Sequence, residues 1–263
     1  MPPITAQAIV QAIGDGVAQA LSTNQLFLGV EEDMFKNADI HPEYVTTVEV
    51  AKQLTAPDRV VSLESHMKEL RGNARFLARG FSRVTNKTFP DIDRILTEYR
   101  FGKKDSQRLD ILVRSSTPSG PPLLIAEAKL GVKNLMGVIH DITRVVRLLT
   151  MYNDLQLLDK YNVYGAVLFH FWEEGNDVGS PNQQANNLLI GINEHLLSLK
   201  PKKPWMNSRA GLLTHGARIQ AITGYRETHD DGYEEDVFAK DSFTFAPGLV
   251  LLGNAADVSS ASF

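Results

Sequence analysis

The sequence predicts an α/β protein: a mixed four-stranded sheet flanked by helices, with a helical N-terminal region and an α+β C-terminal extension. Three observations predict it. Apolar residues recur every three or four positions over 59–81 and again over 133–155, the period of a helix with one buried face. Between these stretches the pattern changes to short strand-like runs separated by turn residues. After the second helix, the continuous apolar run 163–171 reads as a strand buried on both sides. Strand, long helix and strand in that order make a parallel crossover.

Residues 4–21 read as an amphipathic helix, with Ile4, Ile9, Ile13, Val17 and Leu21 near one face and Gly14 and Gly16 weakening it. Residues 26–36 and 43–54 read as two further elements. His41-Pro42 marks a boundary, because the residue before proline avoids helical backbone. The helix expected over 59–81 lines up Val60, Leu63, Met67, Leu70, Ala74, Leu77 and Phe81. Residues 86–91, with Pro90, read as a loop. Strands are expected over 95–101, 108–114 and 123–128, joined by the polar turn 102–106 and the proline-rich turn 117–122, as an antiparallel meander. The helix over 133–155 should bury Leu135, Val138, Ile139, Ile142, Val146, Leu149 and Tyr152. A helix over 181–199 and short strands over 217–223 and 242–252 follow, and the tail 259–263 reads as loose. The organisation is then a helical N-terminal region (1–58), a core (59–175) and an extension (176–263) packed on that core.

Composition narrows the chemistry. With 43% hydrophobic and 22% charged residues, the chain is of an ordinary globular kind. Cysteine is absent, which excludes disulfides, thiolate metal sites and a cysteine nucleophile. The first residues lack the basic start and apolar core of a signal peptide, and no apolar run reaches the ~18 residues that span a bilayer. A cytoplasmic protein without a membrane segment is expected. The net charge of -4 argues against a nucleic-acid coat but leaves room for a local basic groove.

Two runs carry the chemistry: Arg108-Leu109-Asp110-Ile111-Leu112-Val113 and Leu123-Leu124-Ile125-Ala126-Glu127-Ala128-Lys129. Glu127 and Lys129 are two apart, so on a strand they share a face. An apolar strand that ends in opposite charges needs partners or a metal for them. Phosphodiester hydrolysis explains these residue types. Carboxylates from two adjacent strands can anchor a hard divalent ion, with the backbone carbonyl of Ala128 as a further ligand. An amine beside them can orient water or stabilise developing charge.

Asp110, a strand-turn-strand and then Glu127-Ala128-Lys129 resemble the PD-(D/E)xK nuclease superfamily, and the order of elements over 59–171 resembles its restriction-endonuclease-like core. Leu109 stands where the name-giving proline would be. The resemblance implies a magnesium-dependent endonuclease acting on DNA, with manganese able to substitute. Asp110 and Glu127 would bind the metal and Lys129 would assist the water. It also implies a further acid from the preceding helix. Glu64 is the candidate, with an ordinary pair to Lys68 as its alternative, and Glu98 is a lesser one. Arg71, Arg75, Arg79 and Arg83 recur every fourth residue and could follow a phosphate backbone. Lys103, Lys104 and Arg108 lie near where a scissile strand would enter. His140, Arg144 and Arg147 share one side of the helix after the lysine strand, where relatives use polar residues to hold substrate or water. By analogy the setting is restriction or phage defence, with a homodimer or a regulatory partner compatible. The alternatives are a non-catalytic nucleic-acid-binding or regulatory module with the same fold, and a scaffold. No phosphate loop, nucleophile elbow or zinc-protease motif is present.

Overall fold

The computed structural model describes residues 4–28, 42–82, 87–100, 107–117, 120–132, 135–174, 181–213, 217–229 and 232–263. The elements are α1 (Ala6–Leu28), α2 (Pro42–Leu54), β1 (Arg59–His66), α3 (Met67–Gly80), α4 (Phe89–Glu98), β2 (Arg108–Ser115), β3 (Pro122–Val132), α5 (Leu135–Asp154), β4 (Tyr164–Glu174), α6 (Pro181–Leu199), β5 (Asn207–Leu212), β6 (Ala217–Thr228) and β7 (Glu234–Gly253). A 3-10 helix, Ala256–Ser260, follows.

Among the described residues the strands form one mixed sheet of seven rather than four. Six run in the order β1-β2-β3-β4-β7-β5, and β6 pairs with β7 beyond β5. The pairs are antiparallel except β3 with β4, which are joined through α5 as the crossover pattern predicts. Strand β7 lies directly against β4, so the C-terminal segment extends the central sheet itself.

Alternation along each strand gives the sheet two apolar faces. Leu112, Ile125, Val167, Phe169, Val250 and Leu252 pack with α3, α4, α5 and α6. Ile111, Val113, Leu124, Ala126, Ala128, Leu168 and Leu249 pack with α1 and α2. Helices α5 and α6 match their expected spans closely, and α5 buries Val138, Ile142, Val146, Leu149 and Tyr152 as foreseen.

Three expectations are corrected. Residues 59–66 are strand β1, and the helix begins only at Met67. Val61 and Leu63 pack against the α1/α2 side and Ser65 is buried, an alternation that the helical reading of Val60, Leu63 and Met67 overrode. Residues 95–98 belong to helix α4, not to a strand. Thr88 caps it in a capping box with Asp91, Pro90 sits in its first turn, and Ile92, Leu96 and Tyr99 are buried at helical spacing. The first strand of the meander is therefore β1. The tail, expected to be loose, is docked. Val258 and Ala261 are buried, the Ala6 N–H donates to Asp257 Oδ2 at 2.8 Å, and the Ser262 N–H donates to Gln7 Oε1 at 2.8 Å. Asp257 thus supplies negative charge at the start of α1, where the helix dipole favours it. Of the separate element predicted over 26–36, residues 26–28 belong to α1, and the rest of it, the His41 side of the boundary and the turn 102–106 lie outside the described residues. No described helix is long and apolar enough to cross a membrane.

Gly16 is required where α1 crosses α2. A Cβ there would lie 2.5 Å from Val50 Cα and 2.8 Å from its backbone nitrogen, whereas a Cβ at Gly14 meets nothing within 4 Å. Gly16→Ala should cost about 1–3 kcal/mol through overpacking. Gly14→Ala should gain up to about 1 kcal/mol from helix propensity. Urea unfolding of the two variants measures both, and a stabilised Gly16→Ala would contradict the close crossing.

Candidate functional site

The site forms where the sheet's backbone ladder opens. Strands β2 and β3 pair as far as Ile111 with Ala126. The same register puts Asp110 opposite Glu127. There a side chain takes over from the ladder: the Ala128 N–H donates to Asp110 Oδ2 at 2.7 Å. On the other side of β2, Leu63 pairs with Ile111 and Ser65 with Leu109, which brackets Glu64 opposite Asp110. Glu64 leaves the regular strand with φ 52°. A non-glycine residue in this region costs of order 1–3 kcal/mol and persists only where its surroundings hold it.

Glu127 is 1% exposed and projects toward α5. Ile125 shares its face, while Leu124 and Ala126 pack on the opposite side of the sheet. Arg144 on α5 reaches its carboxyl, Nη2 lying 2.5 Å from Oε2. Despite that approach, both carboxyl oxygens are buried and neither makes a hydrogen bond of regular geometry. Burial pushes the Glu127 carboxyl up to about 9. Arg144 pulls it down, while Asp110 and Asp141 push it further up.

Lys129, two residues along β3, is exposed at the same end of α5. Its Cε would lie 3.8 Å from a Cβ on Gly137, and its charge acts on Asp141. Asp141 is 7% exposed, and burial raises its carboxyl against the pull of Arg144, Lys129 and His140. Arg144 Nη2 is also 3.4 Å from Asp141 Oδ1. Asp110, Glu127 and Lys129 are thus brought together with Asp141 and Arg144. The sequence placed Arg144 on the right side of its helix without linking it to Glu127. Asp141 was missed, although an acid and a base three apart flanking an apolar helix face are a readable signal.

The other candidates are distributed differently. Glu64 sits on β1 rather than on a helix, its carboxylate about half exposed and 3.8 Å from Arg108 Nη1. Among the described residues no group of three or more His, Asp or Glu side chains is placed to hold a metal, so Glu64 does not complete one. Arg75 and Arg79 both pair with Asp93 of α4, at 3.1 and 3.0 Å, and Arg79 lies over the Phe89 ring. Arg71 is on α3 with a partner of its own. Glu98 ends helix α4, where its carbonyl accepts from Arg147. His140 is largely exposed, 3.6 Å from Asp141. Lys103, Lys104 and Arg83 lie outside the described residues.

One observation bears on whether these residues fit a hard cation: both Glu127 carboxyl oxygens are buried without a hydrogen bond of regular geometry, and the Asp110 carboxyl lies within side-chain reach of them. Comparison with protein-family models, with curated proteins and with solved structures gives no match for this chain. Fold and site together therefore define a chemical class: an α/β protein whose central sheet carries a buried carboxyl beside a half-buried one, attended by lysine and arginine.

Proposed function

We propose that this protein is a magnesium-dependent nuclease that hydrolyses DNA phosphodiesters on a core of the restriction-endonuclease type. The observation that carries the reading is the buried Glu127 carboxyl beside Asp110, on the same strand as Lys129, with neither of its oxygens in a regular hydrogen bond. The order β1, β2, β3, α5, parallel β4, with the acids on β2 and β3, supports it. Asp110 and Glu127 are the residues that would hold magnesium or manganese. Such an ion, when bound, offsets charge on the phosphoryl oxygens and acidifies a water. The Ala128 N–H holds the Asp110 carboxylate in place. The Lys129 ammonium donates hydrogen bonds and no more, so it orients the attacking water oxygen and opposes charge growing on the phosphoryl group. Water attacks phosphorus in line with the leaving oxygen: the new P–O bond forms as the P–O bond to the leaving oxygen breaks, the attacking water loses its proton to solvent, and the leaving alkoxide takes one from solvent.

Arg144 favours a second reading, a non-catalytic nucleic-acid-binding module, because its guanidinium already occupies the Glu127 carboxyl that a metal would need. Plasmid and single-stranded DNA incubated with the protein in Mg²⁺ or EDTA separate the two. Under the nuclease reading, Mg²⁺ supports cleavage, EDTA stops it, and Asp110→Asn lowers the rate roughly 10²–10³-fold. Binding without cleavage in Mg²⁺ selects the module instead.

A further inference from the structure

Arg144 holds one nitrogen between two carboxylates, Nη2 being 2.5 Å from Glu127 Oε2 and 3.4 Å from Asp141 Oδ1. The contact is incomplete on both sides. Arg144 Nε is buried without a hydrogen-bond partner, and so are both Glu127 carboxyl oxygens. Unmade donors and acceptors in a dry site each carry a desolvation cost. A cation at Glu127 would satisfy the carboxyl oxygens, and a phosphate oxygen beside Arg144 would satisfy the free Nε. These two demands draw the pair apart, since a guanidinium and a divalent ion repel each other strongly across one buried carboxylate.

Asp141 offers the guanidinium another place. It is buried, three residues earlier on the same helix, and already in the second-nearest position. A shift of less than about 1 Å would bring that contact into the range of a charge-assisted hydrogen bond. The guanidinium can therefore leave Glu127 without being stranded in the interior, which would be costly.

We infer that Arg144 is a two-position residue: it holds the Glu127 carboxyl in the metal-free site and passes to Asp141 when a divalent ion enters and takes the ionised carboxylate. Asp141 is the positioning residue that receives it. The inference rests on the nuclease reading, because it takes Glu127 to be a metal ligand.

The test is Mn²⁺ binding to the full chain, followed by electron paramagnetic resonance at one pH and without DNA. If Asp141 acts by receiving Arg144, Asp141→Asn weakens Mn²⁺ binding about tenfold in the presence of Arg144 and less than about twofold in an Arg144→Gln background. Equal weakening in both backgrounds makes Asp141 a remote charge and overturns the transfer, as does no weakening in either. A second measurement needs no change at Asp141 or Glu127: Mg²⁺ should move the Arg144 Nε–Hε resonance of the wild-type chain, assigned with Arg144→Lys. An unmoved resonance at saturating Mg²⁺ overturns the transfer as well. Mn²⁺ binding by Glu127→Gln as tight as wild type would instead sink the metal site itself, a distinguishable result.

Discussion

In EDTA, the wild-type protein should lose stability steadily as pH rises from about 5 to about 9, and Glu127→Gln should lose much less. The Glu127 carboxyl titrates at its ordinary 4.5 in the unfolded chain and near 9 in the folded one, with burial the largest cause. Between those values folding takes up a proton, so raising the pH opposes folding. The stabilising state is fully present below the lower value and is lost through the upper one. At about 1.4 kcal/mol per unit, the loss across that window is on the order of several kcal/mol. Asp110, Asp141 and Arg144 face the same carboxyl and modulate the midpoint. Glutamine keeps the shape of the protonated carboxyl without its titration, which isolates the effect. Mg²⁺ should reverse the trend, because a metal takes the ionised form and displaces the proton. Its stabilisation in a thermal melt should therefore be larger at pH 8.5 than at pH 6. Superimposable pH profiles for wild type and Glu127→Gln in EDTA would show that Glu127 is not held neutral in the metal-free protein.

Lys129→Ala should lower the rate of DNA cleavage in Mg²⁺ by roughly 10²–10³-fold. The lysine is exposed, its stem running past Gly137, so its removal leaves no cavity and no orphaned buried group. Stability should stay within about 0.5 kcal/mol of wild type. Mn²⁺ binding should persist, because the ammonium is not a ligand and its loss removes a repelling charge. The combination is diagnostic: single-turnover cleavage falls while the melt and the metal titration do not. Equal cleavage by wild type and Lys129→Ala would remove the lysine from the chemistry, and with it the motif on which the enzyme reading stands.

The elements that were legible in the sequence are those whose burial pattern is one-sided or unbroken. Helices α5 and α6 and strand β4 fall where apolar spacing puts them, and the β3-α5-β4 crossover follows from their order. Strand β1 was not legible as such. Val60, Leu63 and Met67 mimic a helical stripe, and only the ladder with β2 decides between two periods that eight residues satisfy almost equally. Helix α4 was readable in principle from Thr88, Pro90 and Asp91, but Ile95 and Leu96 look equally at home in a strand. The docked tail had no local signal, because Asp257 and Ser262 find their partners about 250 residues away.

By itself the sequence determined which strands carry Asp110, Glu127 and Lys129, because a two-residue alternation on an apolar run puts the last two on one face. It also determined that a helix follows them and returns the chain to a parallel neighbour. Only the tertiary structure decided that Glu127 is buried, that Arg144 and Asp141 come down on it from that helix, and that Glu64 turns aside to Arg108. The physical reason is that local spacing sets which way a side chain points. What it meets there depends on how helices and strands far apart in the chain are packed.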